Sequence, residues 1–145
     1  PLVRVATAGL PSIMASAIAS GLEDEGVPVR IIDIQKNHHS DVMTELADCG
    51  AVIVGSATHN NNVLPGIADV LTYMKGLRPL NRVGAAFGSY GWSGESPKII
   101  QEWLASMNMD MPADPVKCLF VPKHEGLSQC VALGKTVAEA LKAKC

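Results

Sequence analysis

Strong charge of either sign is what this sequence most clearly lacks. Charged residues make up only 18% of the 145 residues, the formal net charge is -2, and no run of Lys or Arg occurs. We therefore expect no nucleic-acid partner, because nucleic acids are held by clusters of basic side chains. No apolar stretch approaches the roughly 20 residues that cross a bilayer, so no membrane partner is expected either.

The motifs of metal sites and of nucleoside-triphosphate sites are also missing. The four cysteines are widely spaced without a CxxC pair, and the histidines show neither HExxH nor HxxEH spacing. No metal site is therefore predicted. The thiols are expected to be reduced and mostly buried in a cytoplasmic protein, because the chain is not of the small, loop-rich secreted type. The pattern GxxxxGK[ST] is absent, which argues against a P-loop.

What the sequence does contain is a regular alternation of apolar strands and amphipathic helices. Strands are predicted over 2–6, 27–34, 51–55, 83–88 and 116–121, with a helical pattern after each one. Crossover helices between parallel strands favour a doubly wound sheet. The predicted fold class is α/β, a flavodoxin-like three-layer sandwich whose five-stranded parallel sheet has the order 2-1-3-4-5.

Residues 1–145 are expected to form a single domain, since the hydrophobic fraction of 48% supplies an ample core for this length. The chain starts at Pro1, directly on an apparent strand and without Met. We interpret this start as that of a piece cut from a longer polypeptide.

Three polar loops should meet at one edge of such a sheet. They follow the first, third and fourth strands and cover Thr7–Ser12, Ser56–Asn62 and Ser89–Gly94. In an open parallel sheet, ligands bind beyond the carboxyl ends of the strands, near the point where the strand order reverses. The loops are rich in glycine, hydroxyl and amide groups, so we expect them to form one ligand site.

The first loop precedes a predicted helix that Ser12 would cap. A helix N-terminus presents free N–H groups and the positive end of the helix dipole, which together favour an anion such as a phosphate monoester. Thr7 and Ser12 could add hydroxyl donors. An ordinary capped helix start remains the alternative interpretation.

The second and third loops offer groups suited to a flat ring. Asn60 and the two asparagines that follow it can donate hydrogen bonds to, and accept them from, a uracil-like edge. His59 either contacts the ring or is merely solvated. Tyr90 and Trp92 offer stacking faces, although they could also belong to a tight turn packed on the core. The segment Gly91–Glu95 is not a G-x-S-x-G nucleophile elbow, and no acid–His pair completes a triad.

We expect no catalytic side chain. The candidate cofactor-binding residues are Thr7, Ala8, Gly9, Leu10, Ser12, Ser56, Thr58, His59, Asn60, Asn61, Asn62, Ser89, Tyr90, Gly91, Trp92, Ser93 and Gly94.

Three of these stretches resemble a known family. The segments Thr58–Asn62, Gly76–Pro79 and above all Ala86–Gly94, which reads Ala-Phe-Gly-Ser-Tyr-Gly-Trp-Ser-Gly, are similar to the flavodoxin-like domain of the flavodiiron proteins, or A-type flavoproteins. The resemblance spans nearly the whole chain. It implies FMN bound across the three loops, receiving electrons from a rubredoxin-like or NAD(P)H-linked donor. It also implies a diiron centre in a metallo-β-lactamase-like domain that reduces oxygen or nitric oxide.

The sequence departs from that family in two respects. The histidine- and carboxylate-rich diiron motif is absent, so the centre would lie outside this chain, in the same parent chain or in the mate of a homodimer. The resemblance therefore implies that this chain is the C-terminal part of a longer flavodiiron-type chain. In the first loop, Ala8, Leu10 and Pro11 stand where polar residues or glycine are expected. Each lost hydrogen bond to a charged group is worth roughly 1.5–3 kcal/mol, and two losses would weaken FMN binding by about two to four decades.

Two function classes follow. The first is an FMN electron-transfer domain, itself a carrier and part of an oxidoreductase, in which the flavin does the redox chemistry. The second is a flavin-free or weakly binding interaction or dimerisation module that has kept the fold. A hydride-accepting quinone reductase is a weaker third option, because no nicotinamide pocket can be identified.

Overall fold

The computed structural model describes residues 3–8, 12–34, 50–57, 67–72, 83–90, 95–107, 109–119 and 124–144. The strands in these ranges are β1 (Val3–Ala8), β2 (Val29–Asp33), β3 (Ala51–Ala57), β4 (Val83–Tyr90) and β5 (Val116–Leu119). The helices are α1 (Ser12–Asp24), α2 (Glu95–Ser106) and α3 (His124–Lys144), and residues 67–72 are also helical. Among the described residues, no helix combines the length and apolarity needed to cross a bilayer.

The strands form one parallel sheet in the order β2-β1-β3-β4-β5, which confirms the predicted topology. β1 therefore lies between β2 and β3, and the strand order reverses between β1 and β3. The predicted helix between the second and third strands lies outside the described residues.

Helices cover both faces of the sheet. Successive side chains of a strand point to opposite faces, and in the central strands both sets are apolar and need to be buried. Val5, Ile53 and Phe87 belong to the core beneath α1 and α3. Their neighbours in sequence, Ala6, Val54 and Ala86, belong to the core beneath α2 and the helical residues 67–72. A strand buried on both faces needs apolar residues at every position, which explains the uninterrupted apolar run that begins β3.

The layer formed by α1 and α3 depends on a close backbone approach. A Cβ atom on Gly21 of α1 would lie 2.3 Å from the carbonyl oxygen of Val131 in α3. A Cβ atom on Gly134 of α3 would lie 2.3 Å from the carbonyl oxygen of Ile18 in α1. The two glycines thus let the helix backbones touch where any side chain would hold them apart.

A second close approach lies at the amino end of β4. The Gly84 N–H donates to the carbonyl of Asp110 at 2.8 Å, so the segment before β5 already runs beside β4. Met109 is buried in the core, and Met111 packs against it. A Cβ atom on Gly84 would lie 2.9 Å from the sulfur of Met111, so glycine makes room for the methionine side chains.

The strands extend further toward the predicted site than the sequence indicated. The first two residues of the first predicted loop, Thr7 and Ala8, are the last two of β1. Likewise, Ser56 lies within β3, and β4 continues to Tyr90. The reason is that central parallel strands continue to satisfy their backbone groups on each other for as long as a neighbour is present. Ser12, expected as an N-cap, is the first residue of α1.

Three local features of the described residues have simple physical reasons or consequences. Gly26 ends the first helix with a φ of 76°, a left-handed conformation that glycine adopts without strain. The strand after Pro28 lies at an edge of the sheet, the position where a proline at the start of a strand is tolerated. Cys130 is buried and is not part of a disulfide among the described residues. The side chains of the other three cysteines lie outside the described residues.

Candidate functional site

The carboxyl ends of three strands lie side by side and in register. Ala8 of β1 pairs with Ser56 of β3, and Ser56 pairs with Gly88 of β4. One step further along, Ala57 of β3 pairs with Ser89 of β4. The chain therefore leaves β1, β3 and β4 at one edge of the sheet, and each departing segment is one of the three predicted loops.

Among the predicted site residues, Thr7, Ala8, Ser12, Ser56, Ser89 and Tyr90 belong to the described strands and helices. The others, which are Gly9, Leu10, Thr58, His59, Asn60, Asn61, Asn62, Gly91, Trp92, Ser93 and Gly94, lie outside the described residues. The geometry thus establishes that the three segments start together, and the ligand contacts of the loops remain predictions.

Thr7 is the most informative of the described site residues. Its side chain is 3% exposed, and within the described part of the chain its Oγ1 has no hydrogen-bond partner. A buried hydroxyl without a partner costs about 1–3 kcal/mol, so native proteins rarely leave one in that state. An unpaired hydroxyl beside a predicted ligand site indicates a group that donates to, or accepts from, something that binds there.

Ser56 is completely buried at the same edge. Its backbone lies between those of Ala8 and Gly88, and its side chain points to the opposite face of the sheet from Thr7, because the two differ by one position in the register. Hydroxyl-bearing residues therefore lie on both faces where the strands end.

The N-terminus of α1 begins next to this edge. Only three residues separate the end of β1 at Ala8 from the start of α1 at Ser12, so the first turn lies close to the strand ends. The first turn of α1 contains no acidic residue. The free N–H groups and the positive dipole end are thus not neutralised by a carboxylate of that turn, which favours an external anion.

A phosphate group fits these features. The α1 N-terminus supplies unneutralised N–H groups, and Thr7 supplies a buried hydroxyl that lacks a partner among the described residues. A phosphate monoester offers three strongly accepting oxygens to such donors. The α1 N-terminus and the Thr7 hydroxyl therefore suit the phosphate end of a ligand.

One pair of residues next to Thr7 was not among those predicted from the sequence. Gly55 is the register partner of Thr7 on one side and of Phe87 on the other. A Cβ atom on Gly55 would lie 2.1 Å from Cζ of Phe87, so the phenyl ring occupies the place of the missing side chain. The signal was present in the sequence, since a glycine at the end of an otherwise apolar strand often marks close approach of another group.

Comparisons with known proteins agree with this fold. The family model described as Flavodoxin matches residues 12–134. The chain is 53% identical over 131 residues to rubredoxin-oxygen oxidoreductase of Megalodesulfovibrio gigas, covering 90% of this chain and 33% of that protein. The chain thus spans about a third of the length of this curated relative.

Two solved structures show the same architecture. Rubredoxin oxygen:oxidoreductase from Desulfovibrio gigas superposes with a TM-score of 0.93 at 49% identity, covering 99% of this chain and 36% of that one. A flavodoxin from the domain Archaea superposes with a TM-score of 0.87 at 31% identity, covering 98% of this chain and 99% of that one.

The flavodoxin family and its flavodiiron relatives bind FMN, a flat ring that carries a terminal phosphate. The chain belongs to the flavodoxin family, as a flavodoxin-like domain of the type found in flavodiiron proteins.

Proposed function

We propose that this chain binds FMN where β1, β3 and β4 end and that it acts there as an electron-transfer domain. The observation that carries the proposal is the buried hydroxyl of Thr7, which lacks a partner in the described residues and lies where three neighbouring strands end, each leading into a predicted loop. An ordinary helix start would not require a buried, unpaired donor.

The phosphate end of FMN would be held by the described residues. The Thr7 hydroxyl donates a hydrogen bond to a phosphate oxygen, and the free N–H groups at the start of α1 donate others. Because the first turn of α1 has no carboxylate, no like charge in that turn opposes the phosphate.

The ring end would be held by the predicted loops. Tyr90 and Trp92 would provide flat faces for the ring, and Asn60 with the two asparagines after it would meet the uracil-like edge. FMN, when bound, supplies the redox chemistry, while the protein binds the ring, orients it and limits its contact with water. No acid, base or nucleophile of the chain is needed for this function.

The chain is proposed to form one domain of a longer flavodiiron-type protein, since it spans 33% of rubredoxin-oxygen oxidoreductase. Electrons would enter from a rubredoxin-like or NAD(P)H-linked donor. They would leave to a diiron centre in a metallo-β-lactamase-like domain of the same parent chain or of a dimer mate, where oxygen or nitric oxide is reduced.

Flavin titration of the purified chain tests the binding site. FMN is added to the flavin-stripped protein, and quenching of flavin fluorescence gives the Kd for FMN and for riboflavin, which lacks the phosphate. Thr7→Val should weaken FMN binding about 10- to 150-fold, which corresponds to the roughly 1.5–3 kcal/mol of a hydrogen bond to a charged group. Riboflavin binding should change less than twofold.

A matched control is available in α3. The Thr136 hydroxyl donates to the carbonyl of Ala132 at 2.9 Å, far along the helix from the strand ends. Thr136→Val makes the same chemical change there and should leave both flavin affinities unaltered. Absence of FMN binding by the unmodified chain would contradict the proposal and favour a flavin-free interaction module.

Electron transfer is tested separately. Mixing the FMN-loaded chain anaerobically with reduced rubredoxin should bleach the flavin absorbance within seconds. Rapid bleaching by NADPH alone, without rubredoxin, would instead favour the quinone reductase class.

A further inference from the structure

Thr7, Gly55 and Phe87 form one row across three neighbouring strands. Thr7 pairs with Gly55 in the register of β1 and β3, and Gly55 pairs with Phe87 in that of β3 and β4. Partners in a parallel register share a face of the sheet, and Phe87 belongs to the core beneath α1 and α3. The three residues therefore lie in line on the face that α1 covers.

The phenyl ring of Phe87 reaches across Gly55 toward β1. The atoms nearest to a Cβ built on Gly55 are Cζ at 2.1 Å, Cε2 at 2.2 Å and Cε1 at 2.5 Å, which form the distal end of the ring. Because the ring starts on β4 and its tip lies over β3, the next position in its direction is Thr7.

This arrangement explains why the Thr7 hydroxyl lacks a partner on that side. The row position beside it holds glycine, covered by a fully buried ring that presents only C–H groups. On the other side, Asp33 is the register partner in β2, yet Thr7 Oγ1 makes no hydrogen bond within the described residues. At 3% exposure, Thr7 has almost no access to bulk water.

We propose that Phe87 is a positioning residue for Thr7. Its ring over Gly55 denies the Thr7 hydroxyl a competing partner on the β3 side and keeps it available to the ligand phosphate. The pair Gly55 and Phe87 thereby sets the preference for phosphorylated over unphosphorylated flavin. This inference rests on the proposed function, because it concerns the same site.

The test is Phe87→Tyr, which keeps the ring and adds a hydroxyl at Cζ, the atom that points toward the row position of Thr7. The measured quantity is the ratio of the Kd for riboflavin to the Kd for FMN. The added hydroxyl offers Thr7 a competing partner, so the ratio should fall about 3- to 10-fold, the range of one neutral hydrogen bond. In a Thr7→Val background, the same substitution should change the ratio less than twofold.

Two further variants separate positioning from general loss of stability. Ile53→Val removes a methylene from the same core. Ile53 lies two residues before Gly55 on the same face of β3, and its substitution should lower the Tm without changing the ratio. Phe87→Leu, measured in parallel, removes the distal ring atoms over Gly55, so the Thr7 side chain is no longer confined on that side and can turn away from the phosphate. It should therefore also lower the ratio. It supplies the test if Phe87→Tyr does not fold by circular dichroism.

The outcomes distinguish this inference from the proposed function. If Thr7→Val lowers the ratio and both Phe87 variants leave it unchanged, the positioning role is overturned and FMN binding stands. If Ile53→Val lowers the ratio as much as the Phe87 variants do, the effect is one of core packing and the positioning role is again overturned. If the unmodified chain binds neither flavin, the proposed function itself fails.

Discussion

Replacing Gly134 by alanine should destabilise this protein, although the same change in an isolated helix would stabilise it. Gly134 lies in the interior of α3, where alanine is favoured over glycine by about 1 kcal/mol. In the folded chain, however, the new Cβ atom would lie 2.3 Å from the carbonyl oxygen of Ile18 and 3.1 Å from the amide nitrogen of Leu22. These are backbone atoms of α1, so no rotamer change can relieve the contact.

The magnitude follows from the distance that the helices must move. An ordinary contact between a carbon and an oxygen is at least about 3.2–3.4 Å, so α1 and α3 would have to separate by about 1 Å, loosening a close-packed core. Overpacking of this kind costs about 1–3 kcal/mol, and a rigid backbone neighbour favours the upper end. After subtracting the helix propensity, the expected net loss is about 2 kcal/mol.

Thermal and urea unfolding followed by circular dichroism measure this loss. For a chain of about this size, 1 kcal/mol corresponds to roughly 2–4 °C in Tm, so Gly134→Ala should lower the Tm by about 4–8 °C. Gly21→Ala should behave similarly. The double variant should lose less than the sum, because one displacement of α1 from α3 relieves both contacts.

Ser128→Ala provides the control, since Ser128 is exposed on the same helix. It should raise the free energy of unfolding by up to about 0.5 kcal/mol through helix propensity alone. A Tm for Gly134→Ala equal to or above that of the unmodified chain would refute the close approach of α1 and α3 as the reason for the glycine.

Three further predictions concern stability. Gly55→Ala should lower the free energy of unfolding, measured in urea, by more than about 3 kcal/mol, because the Cβ atom would lie 2.1 Å from the Phe87 ring. Adding Phe87→Leu should restore part of this loss. Gly26→Ala should lower the free energy of unfolding by about 1 kcal/mol in the same measurement, since its φ of 76° strains any residue with a side chain. An unchanged urea midpoint would contradict this. Lys142→Ala should change the free energy of unfolding by less than about 0.5 kcal/mol, because its 3.5 Å ion pair with Glu25 is partly exposed to solvent. A larger, salt-dependent loss would contradict this.

The sequence determined the order of elements and most of the architecture. Apolar runs separated by amphipathic helices predict crossover connections, and these connections force parallel strands and helices on both faces. The order 2-1-3-4-5 followed, and with it the meeting of the segments after β1, β3 and β4. These features could be predicted because they depend on periodicity and chain connectivity, which each stretch of sequence shows locally.

Only the tertiary structure decided where the strands end and which glycines are required. Thr7 reads as a loop residue in sequence, yet its pairing partners on β2 and β3 keep it in the sheet, where its hydroxyl is buried. The ring over Gly55 and the contact between Gly21 and α3 join residues that are far apart in the chain. Distances between such residues are set by the packing of whole elements, and no local pattern encodes them.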